Sequence, residues 1–224
     1  MAIILSLETS TSVCSAAIHD QGKLVVSKEL NTPQAAAAQL MVLMDQLIQE
    51  SGLTKSSIDA VAVSGGPGSY TGLRIGAATA KGVCFALGIP LIALDSLHVI
   101  ASSAPAVQTE SLICPMIDAR RMEVYCCLLT SRLDVVEPSK PLVVDEGSFN
   151  EALARKPIVF MGSGASKCKV VIRHPNASFL DHIDPRASAM GGMAFRKFEE
   201  KDFSDLRTFE PAYLKEFVAK TKKT

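Results

Sequence analysis

The first hundred residues alternate short apolar runs with small polar turns, a pattern that predicts a sheet with helices packed against it. Strands are predicted at 2–7, 13–19, 24–30, 58–63 and 91–94. The first three are joined by tight turns, which is typical of an antiparallel meander. One helix is predicted from a cap at Asn31 or Thr32 to about Glu50, and another from a glycine-rich segment to Gly88. This order predicts an α/β fold with a mixed sheet.

After a linker or surface helix at 101–110, the second half again begins with strands around a small polar turn. Its predicted strands are 112–117, 122–129, 141–144 and 157–161, and its predicted helices are 147–155, one after residue 161, and 186–200. We therefore place a first domain at 1–105, a second at 106–185, and a C-terminal helix and tail at 186–224 that return toward the first domain. The similar beginnings of the two halves are compatible with a distant duplication.

The two helices of the first half carry more apolar side chains than one sheet-facing stripe requires. In the first helix that stripe is Ala36, Leu40, Leu43, Met44 and Leu47. Ala38, Met41 and Val42 are also apolar but lie off the stripe. The second helix has only Arg74 and Lys81 as charges and is rich in glycine and alanine, which let another helix approach closely. Because the chain is too small to cover both helices on every side, we predict a helix–helix association surface.

The composition argues against several classes of protein. The 224 residues are 48% hydrophobic, and 23 basic residues balance 23 acidic ones, which argues against a dedicated nucleic-acid or membrane-surface binder. The start has no basic region typical of a signal peptide, and no apolar run reaches the roughly 20 residues that span a bilayer. The six cysteines mostly fall in apolar segments without metal-site spacing, so we expect reduced, buried thiols in a cytoplasmic protein.

The glycine-rich segment SGGPGSYTGLR, residues 64–74, lies between a predicted strand and a predicted helix, where many proteins bind phosphate. It contains no G-x-x-x-x-G-K-[ST] pattern, and the dinucleotide pattern that starts at Gly66 fails because position 71 is threonine. Pro67 also removes one amide donor. We interpret the segment as a tight structural turn, with a general anion site at the helix N-terminus as the alternative.

Five motifs together resemble the TsaB (YeaZ) family, and the resemblance spans nearly the whole chain in the right order. They are LxLETSTxxCSAAI at the N-terminus, SGGPGSYTGLRIGAATAKG, IPLIALDSL, DARRMEVY and the terminal EPxYL. The resemblance implies the ASKHA superfold, the ribonuclease H-like duplicated architecture of actin, heat-shock chaperones and sugar kinases. It also implies a non-catalytic subunit of the bacterial machinery that makes N6-threonylcarbamoyladenosine next to the anticodon of tRNAs reading codons that start with A.

The resemblance further implies how the chain assembles. TsaD, the catalytic paralogue, is the expected partner, TsaE is expected to join the complex, and tRNA is expected to be contacted indirectly. The alternative is that a second copy of this chain binds to the same helices and forms a homodimer. The predicted partner-contacting residues are Ala35, Ala38, Met41, Val42, Asp45, Thr71, Arg74, Ile75, Ala78, Lys81 and Gly82.

The residues argue against two other activities that relatives of this family suggest. Metalloprotease chemistry needs paired histidines about one helical turn apart, but the closest two here, His174 and His182, are eight positions apart with Pro175 between them. An autonomous ATPase or kinase would bind phosphate at the turn Glu8–Ser12, which lacks the required glycine. We expect no intrinsic cofactor and no metal. The alternative is weak or shared binding of ATP or ADP at an interface with TsaD, with contacts from Thr9, Ser10, Gly65, Gly66 and Gly68.

The turn Asp118–Arg121 is charged and lies between two predicted strands. Solvated turn residues are the usual explanation of such charges. A contact to a partner or to RNA is the alternative.

Overall fold

The computed structural model describes residues 2–30 and 36–214, and they form two five-stranded sheets with helices packed on them. The strands of the first sheet are β1 (Ile3–Glu8), β2 (Cys14–Asp20), β3 (Lys23–Leu30), β4 (Ala60–Ser64) and β5 (Leu91–Leu94). Its helices are α1 (Ala36–Ser51) and α2 (Tyr70–Leu87), followed by α3 (Ser96–Ser103). The predicted start of α1 near Asn31 lies outside the described residues.

The first sheet has the order β3-β2-β1-β4-β5. The strands β1, β2 and β3 form the predicted antiparallel meander, with Leu5 opposite Ile18. The strand β4 lies parallel to β1, and β5 lies parallel to β4. The mixed sheet inferred from the apolar pattern is therefore confirmed.

The second sheet repeats this arrangement. Its elements are β6 (Leu112–Asp118), β7 (Glu123–Thr130), β8 (Val135–Val143), α4 (Asn150–Arg155), β9 (Ile158–Met161), α5 (Ala165–Cys168) and β10 (Ala177–Leu180). Read from β8, the order is β8-β7-β6-β9-β10, with β6, β7 and β8 antiparallel and β9 and β10 parallel to β6. Each half thus uses its strands in the same order and direction, which is the topology of an internal duplication.

Some element predictions were wrong, mostly where elements are short. The segment 101–110, predicted as a linker or surface helix, starts with the end of α3. This helix begins earlier because the Asp95 carboxylate accepts a hydrogen bond from the Leu97 amide at 2.8 Å and caps it. Strand β8 begins at Val135 rather than 141, and β10 was not predicted. The predicted helix 186–200 is a 3₁₀ turn, Ala187–Ala189, followed by α6 (Gly191–Glu199).

Helix α3 lies where the two halves meet. Its Val99 packs in the apolar cluster of the first sheet, whereas Leu97 and Ile100 pack with Ile113 and Leu129 of the second sheet. All five of these side chains are buried. The two halves therefore share one helix, each covering a different face of it.

All six cysteines are buried and none forms a disulfide. The neighbours Cys126 and Cys127 pack in different clusters, as alternation along a strand predicts. Burial raises the pKa of Cys84 to about 11, so this thiol stays protonated and unreactive. Among the described residues, no group of three or more histidine, cysteine or acidic side chains could hold a metal ion. In the same ranges, no helix has the length and apolar character needed to cross a bilayer.

Helix α6 and the 3₁₀ turn before it pack back on the first sheet, with Met190 and Ala194 in the cluster around Ile4 and Ile92. His19 of β2 lies beneath them and is fully buried. Its Nε2 lies 3.2 Å from the carbonyl oxygen of Ser188, which can only accept, and its Nδ1 lies 3.1 Å from the Ser6 hydroxyl. Nε2 therefore carries a proton, and in the neutral ring that burial favours, Nδ1 accepts from the Ser6 hydroxyl.

Acid should destabilise the protein through His19, because burial lowers the pKa of this imidazole below its ordinary 6.5. As pH falls below 6.5, His19 of the unfolded chain binds a proton, whereas His19 of the folded chain stays neutral. The free energy of unfolding should then drop by up to about 1.4 kcal/mol per pH unit. Urea unfolding measured between pH 7.5 and pH 5 should show a smaller drop for His19→Gln. The exposed His182, changed to Asn, should keep the wild-type dependence, and equal slopes for all three proteins would contradict this account.

Candidate partner interface

Helix α1 has one buried face and one apolar face turned outward. Leu40, Leu43 and Leu47 are buried against the sheet, together with Met44. Met41 and Val42 are 49% and 54% exposed. The predicted sheet-facing stripe is thus confirmed for its described side chains. The two extra apolar residues lie on the outside of the molecule, where no described element covers them.

Helix α2 begins at a cap on Ser69, whose hydroxyl accepts from the Gly72 amide. Gly68 precedes this cap, and Gly72 and Gly76 follow it four residues apart on one side of the helix start. A β-carbon on Gly72 would lie closer than 3.0 Å to the carbonyl oxygen of Thr9, and one on Gly76 would clash with the Thr9 hydroxyl. Gly72 and Gly76 therefore allow the helix to contact the β1–β2 turn of its own chain, whereas Gly82 has open space beside it that another helix could fill.

The β1–β2 turn is closed around the carboxylate of Glu8. This side chain is fully buried, accepts from the Ser10 amide at 2.6 Å and accepts from the Ser64 hydroxyl. Burial raises the pKa of Glu8, although the hydrogen bonds from Ser10 and Ser64 oppose that effect. Thr9 donates its hydroxyl proton to the Gly72 carbonyl at 2.8 Å. The turn and the start of α2 therefore form one hydrogen-bonded unit.

The five candidate nucleotide contacts all lie in or beside this unit. Thr9 and Ser10 are buried. The Gly65 amide donates to the Leu94 carbonyl at 2.7 Å, and the Gly66 amide donates to the Ser96 hydroxyl at 3.2 Å. Gly68 lies against the backbone of Ser10. The amides of Ser10, Gly65 and Gly66, which a phosphate would need, already have acceptors within the chain.

The segment from Ser204 to Leu214 covers one side of α2. Its Ala212 amide donates to the Gly65 carbonyl at 2.7 Å, and the Lys81 ammonium donates to the Phe209 carbonyl at 3.1 Å. The rings of Tyr213 and Tyr70 lie 4.9 Å apart, and the Arg74 guanidinium lies 4.5 Å from the centre of the Tyr70 ring. Arg74 and Lys81, both predicted to contact a partner, therefore interact with side chains or backbone of this chain.

The other side of α2 faces α1 across an open apolar groove of about 330 Å³. The predicted residues that line it are Met41, Asp45, Ala78 and Gly82. Asp45 forms an ion pair with Lys55 at 2.8 Å on the groove rim. The structure thus brings these four residues together, with exposed Val42 and Thr71 and half-buried Ile75 on the same two helices. Ala35 and the side chain of Ala38 lie outside what the structure describes.

Sequence reasoning missed Phe85, which is the most exposed large apolar side chain of the described residues at 85%. It follows Ala78 and Gly82 at helical spacing, so it shares their side of α2. The spacing alone would have found it, because a phenylalanine seven residues after an exposed alanine lies on the same face. The exposed face therefore contains a large aromatic side chain beside a groove whose α2 wall includes the small residues Ala78 and Gly82.

The fold defines the class of protein. Two α/β units, each with a mixed sheet in the same strand order and joined by a shared helix, are the duplicated architecture of the ASKHA superfold. The expected fold class is confirmed. A protein from Pseudomonas aeruginosa with similarity to peptidase YeaZ superposes with a TM-score of 0.86 at 26% identity, covering 96% of this chain and 100% of that one.

Residues 31–223 match the model of the TsaD family, described as tRNA N6-adenosine threonylcarbamoyltransferase, and the chain belongs to that family, in its TsaB (YeaZ) group. The tRNA threonylcarbamoyladenosine biosynthesis protein TsaB of Bacillus subtilis is 27% identical over 98% of this chain and 96% of its own length. The Haemophilus influenzae protein of that name is 34% identical, but the match spans 54% of this chain and about half of the relative, 51%.

Proposed function

We propose that this chain is a non-catalytic subunit that binds TsaD and supports transfer of the threonylcarbamoyl group to adenosine in tRNA. The observation that carries the proposal is the exposed apolar face of α1 and α2. Met41, Val42 and Phe85 expose large apolar side chains around an open groove, and such patches mark interaction surfaces. A relative named for threonylcarbamoyladenosine biosynthesis matches nearly the whole chain, which supports the pathway.

The closed β1–β2 turn also supports the proposal that this chain has no catalytic activity of its own. The amides that an ASKHA enzyme would direct at phosphates donate to Leu94, Ser96 and Glu8. An autonomous ATPase or kinase would need to break these hydrogen bonds before it could bind a nucleotide there. We propose that any ATP or ADP in the assembly contacts the partner, and that TsaE joins the same complex.

The α1–α2 face can be occupied by TsaD or by a second copy of this chain, since both would cover the same apolar side chains. In a homodimer the two faces would be identical and self-complementary. We propose that TsaD is the functional occupant and that a homodimer, where it forms, competes with it.

Threonylcarbamoyladenosine formation on unmodified tRNA tests the proposal. The reaction would contain the threonylcarbamoyl-AMP synthase, TsaD and TsaE of the same organism, with and without this chain. We expect product only when the chain and TsaD are both present, since the chain supplies assembly and TsaD supplies the chemistry. Product without the chain would contradict its supporting role, and product without TsaD would contradict the absence of catalysis.

A further inference from the structure

The turn between β6 and β7 presents two adjacent arginines in an unusual backbone conformation. Arg120 and Arg121 are exposed and have φ angles of 72° and 47°. Side chains other than glycine, asparagine and aspartate rarely adopt positive φ, and two in succession cost conformational energy. Five other non-glycine residues of the described ranges have positive φ, but Arg120 and Arg121 are the one successive pair. The arginines therefore suggest a use for their side chains.

A lysine from α5 holds this turn in place. The ammonium of Lys167 donates to the Asp118 carboxylate at 2.6 Å, to the Arg121 carbonyl at 2.7 Å and to the Glu123 carbonyl at 2.6 Å. Asp118 also accepts from the Arg120 amide at 2.7 Å. All three ammonium protons are thus used on the turn. The backbone of the turn is therefore held by these hydrogen bonds, while Arg120 and Arg121 remain exposed.

The matching turn of the first half shows what is different here. Glu8 and Asp118 each end the first strand of their sheet, and each accepts from the amide two residues further on. In the first turn, Thr9 and Ser10 are buried against the glycines of α2. In the second half, α5 has only four residues, and the turn stays open. One copy of the duplicated turn has become part of the core, and the other faces solvent.

The two exposed guanidinium groups of the open turn are the groups that favour an anion, since the segment as a whole balances them with Asp118 and Glu123. Within residues 2–30 and 36–214, neither Arg120 nor Arg121 forms an ion pair, whereas the Asp118 carboxylate is paired with Lys167. No large apolar side chain between residues 118 and 123 is exposed. Protein interfaces usually have an apolar centre, which this turn lacks. Guanidinium groups match phosphate oxygens in pairs of hydrogen bonds, so a nucleic-acid backbone suits this surface better than a protein does.

We propose that Arg120 and Arg121 contact phosphodiester groups of the tRNA backbone when the chain is in its complex. This inference rests on the proposed function, because the tRNA is brought to the chain by the assembly. Because the net charge of the chain is zero, a phosphate contact has to come from a local group of basic side chains, and the adjacent arginines form such a group. Phosphate contacts of this kind position the RNA and do not read its sequence.

The test measures the affinity of the assembled complex of this chain, TsaD and TsaE for labelled unmodified tRNA at several salt concentrations. The variant Arg120→Asn/Arg121→Gly removes both guanidinium groups and installs residues that suit positive φ, so its folding should be at least as stable as wild type. We expect the Kd to rise roughly tenfold and the plot of log affinity against log salt to flatten by about one unit per lost contact. The control Arg132→Gln/Arg196→Gln removes the same charge from two other exposed positions and should leave both quantities unchanged.

Three outcomes would overturn the inference. Equal tRNA affinity and salt dependence for variant and wild type would show that the arginines do not touch the backbone. Weaker binding of TsaD or TsaE, with unchanged tRNA affinity at saturating partner, would assign the turn to a protein contact. If wild-type chain fails to join TsaD at all, the proposed function fails together with this inference, and co-elution of the wild-type proteins distinguishes that case first.

Discussion

Replacing Met41 and Val42 by aspartate should abolish stable binding of the chain to TsaD and leave its fold intact. Both side chains are about half exposed in the free protein, so the carboxylates would remain hydrated there. In the complex they would be buried without a partner, at a cost of about 3 kcal/mol or more, which is roughly a hundredfold in affinity. Calorimetric titration with TsaD measures this loss, and thermal unfolding checks the fold.

The chain offers a closely matched control for this experiment. Val135 and Val136 are adjacent, are 57% and 49% exposed, and lie on β8 of the other sheet. Val135→Asp/Val136→Asp should bind TsaD as wild type does, since it introduces the same charges away from the α1–α2 face. Undiminished binding by the Met41/Val42 variant would place the interface elsewhere. Loss of binding in both variants would indicate an effect of charge alone.

Gly72→Ala should destabilise the fold by about 3 kcal/mol or more, because the new methyl would overlap the backbone carbonyl of Thr9. Neither the strand nor the helix can yield without breaking hydrogen bonds of the β1–β2 turn. Gly76→Ala should cost less, since its closest contacts are the Thr9 hydroxyl and a methyl of Val63, which are side-chain atoms and not backbone. Urea unfolding at neutral pH measures both.

Gly82→Ala on the same helix is the control for helix propensity. A β-carbon there has nothing within 4 Å, so the change should raise the free energy of unfolding by about 0.5–1 kcal/mol. The two glycines are therefore expected to respond in opposite directions to an identical substitution. If Gly72→Ala were as stable as Gly82→Ala, the close approach of α2 to the turn would not be the reason for glycine at position 72.

The periodic parts of the fold could be predicted from the sequence because each long element carries its own signal. The stripe of leucines in α1 places one face on the sheet, and the apolar surplus at Met41 and Val42 locates the outward face. Helix α3 was missed because eight nearly uncharged residues buried on several sides give no polar face to define a period. Strand β10 has four residues, too few for alternation to be distinguished from a loop.

The site was less predictable because several of its contacts join distant parts of the chain. Nothing near Lys81 in sequence indicates that its ammonium donates a hydrogen bond to the carbonyl of Phe209, which is 128 positions away. Glycines in α2 indicated close packing, but the sequence could not say that the neighbour is Thr9 and not another helix. The positive φ angles of Arg120 and Arg121 are likewise set by Lys167, since arginine has no preference of its own for that conformation.

The helix that both halves share has a consequence for how the chain evolved after its duplication. Val99 packs in the core of the first half, whereas Leu97 and Ile100 pack in the core of the second half. A substitution in α3 therefore affects the packing of both cores. A change in the thickness or tilt of one half would require a compensating change in the other half. We therefore expect that exchanging one half alone for that of a relative leaves α3 poorly packed. Recombination within this family is therefore expected to preserve α3 together with both of its neighbours, and melting of either half should carry the other with it.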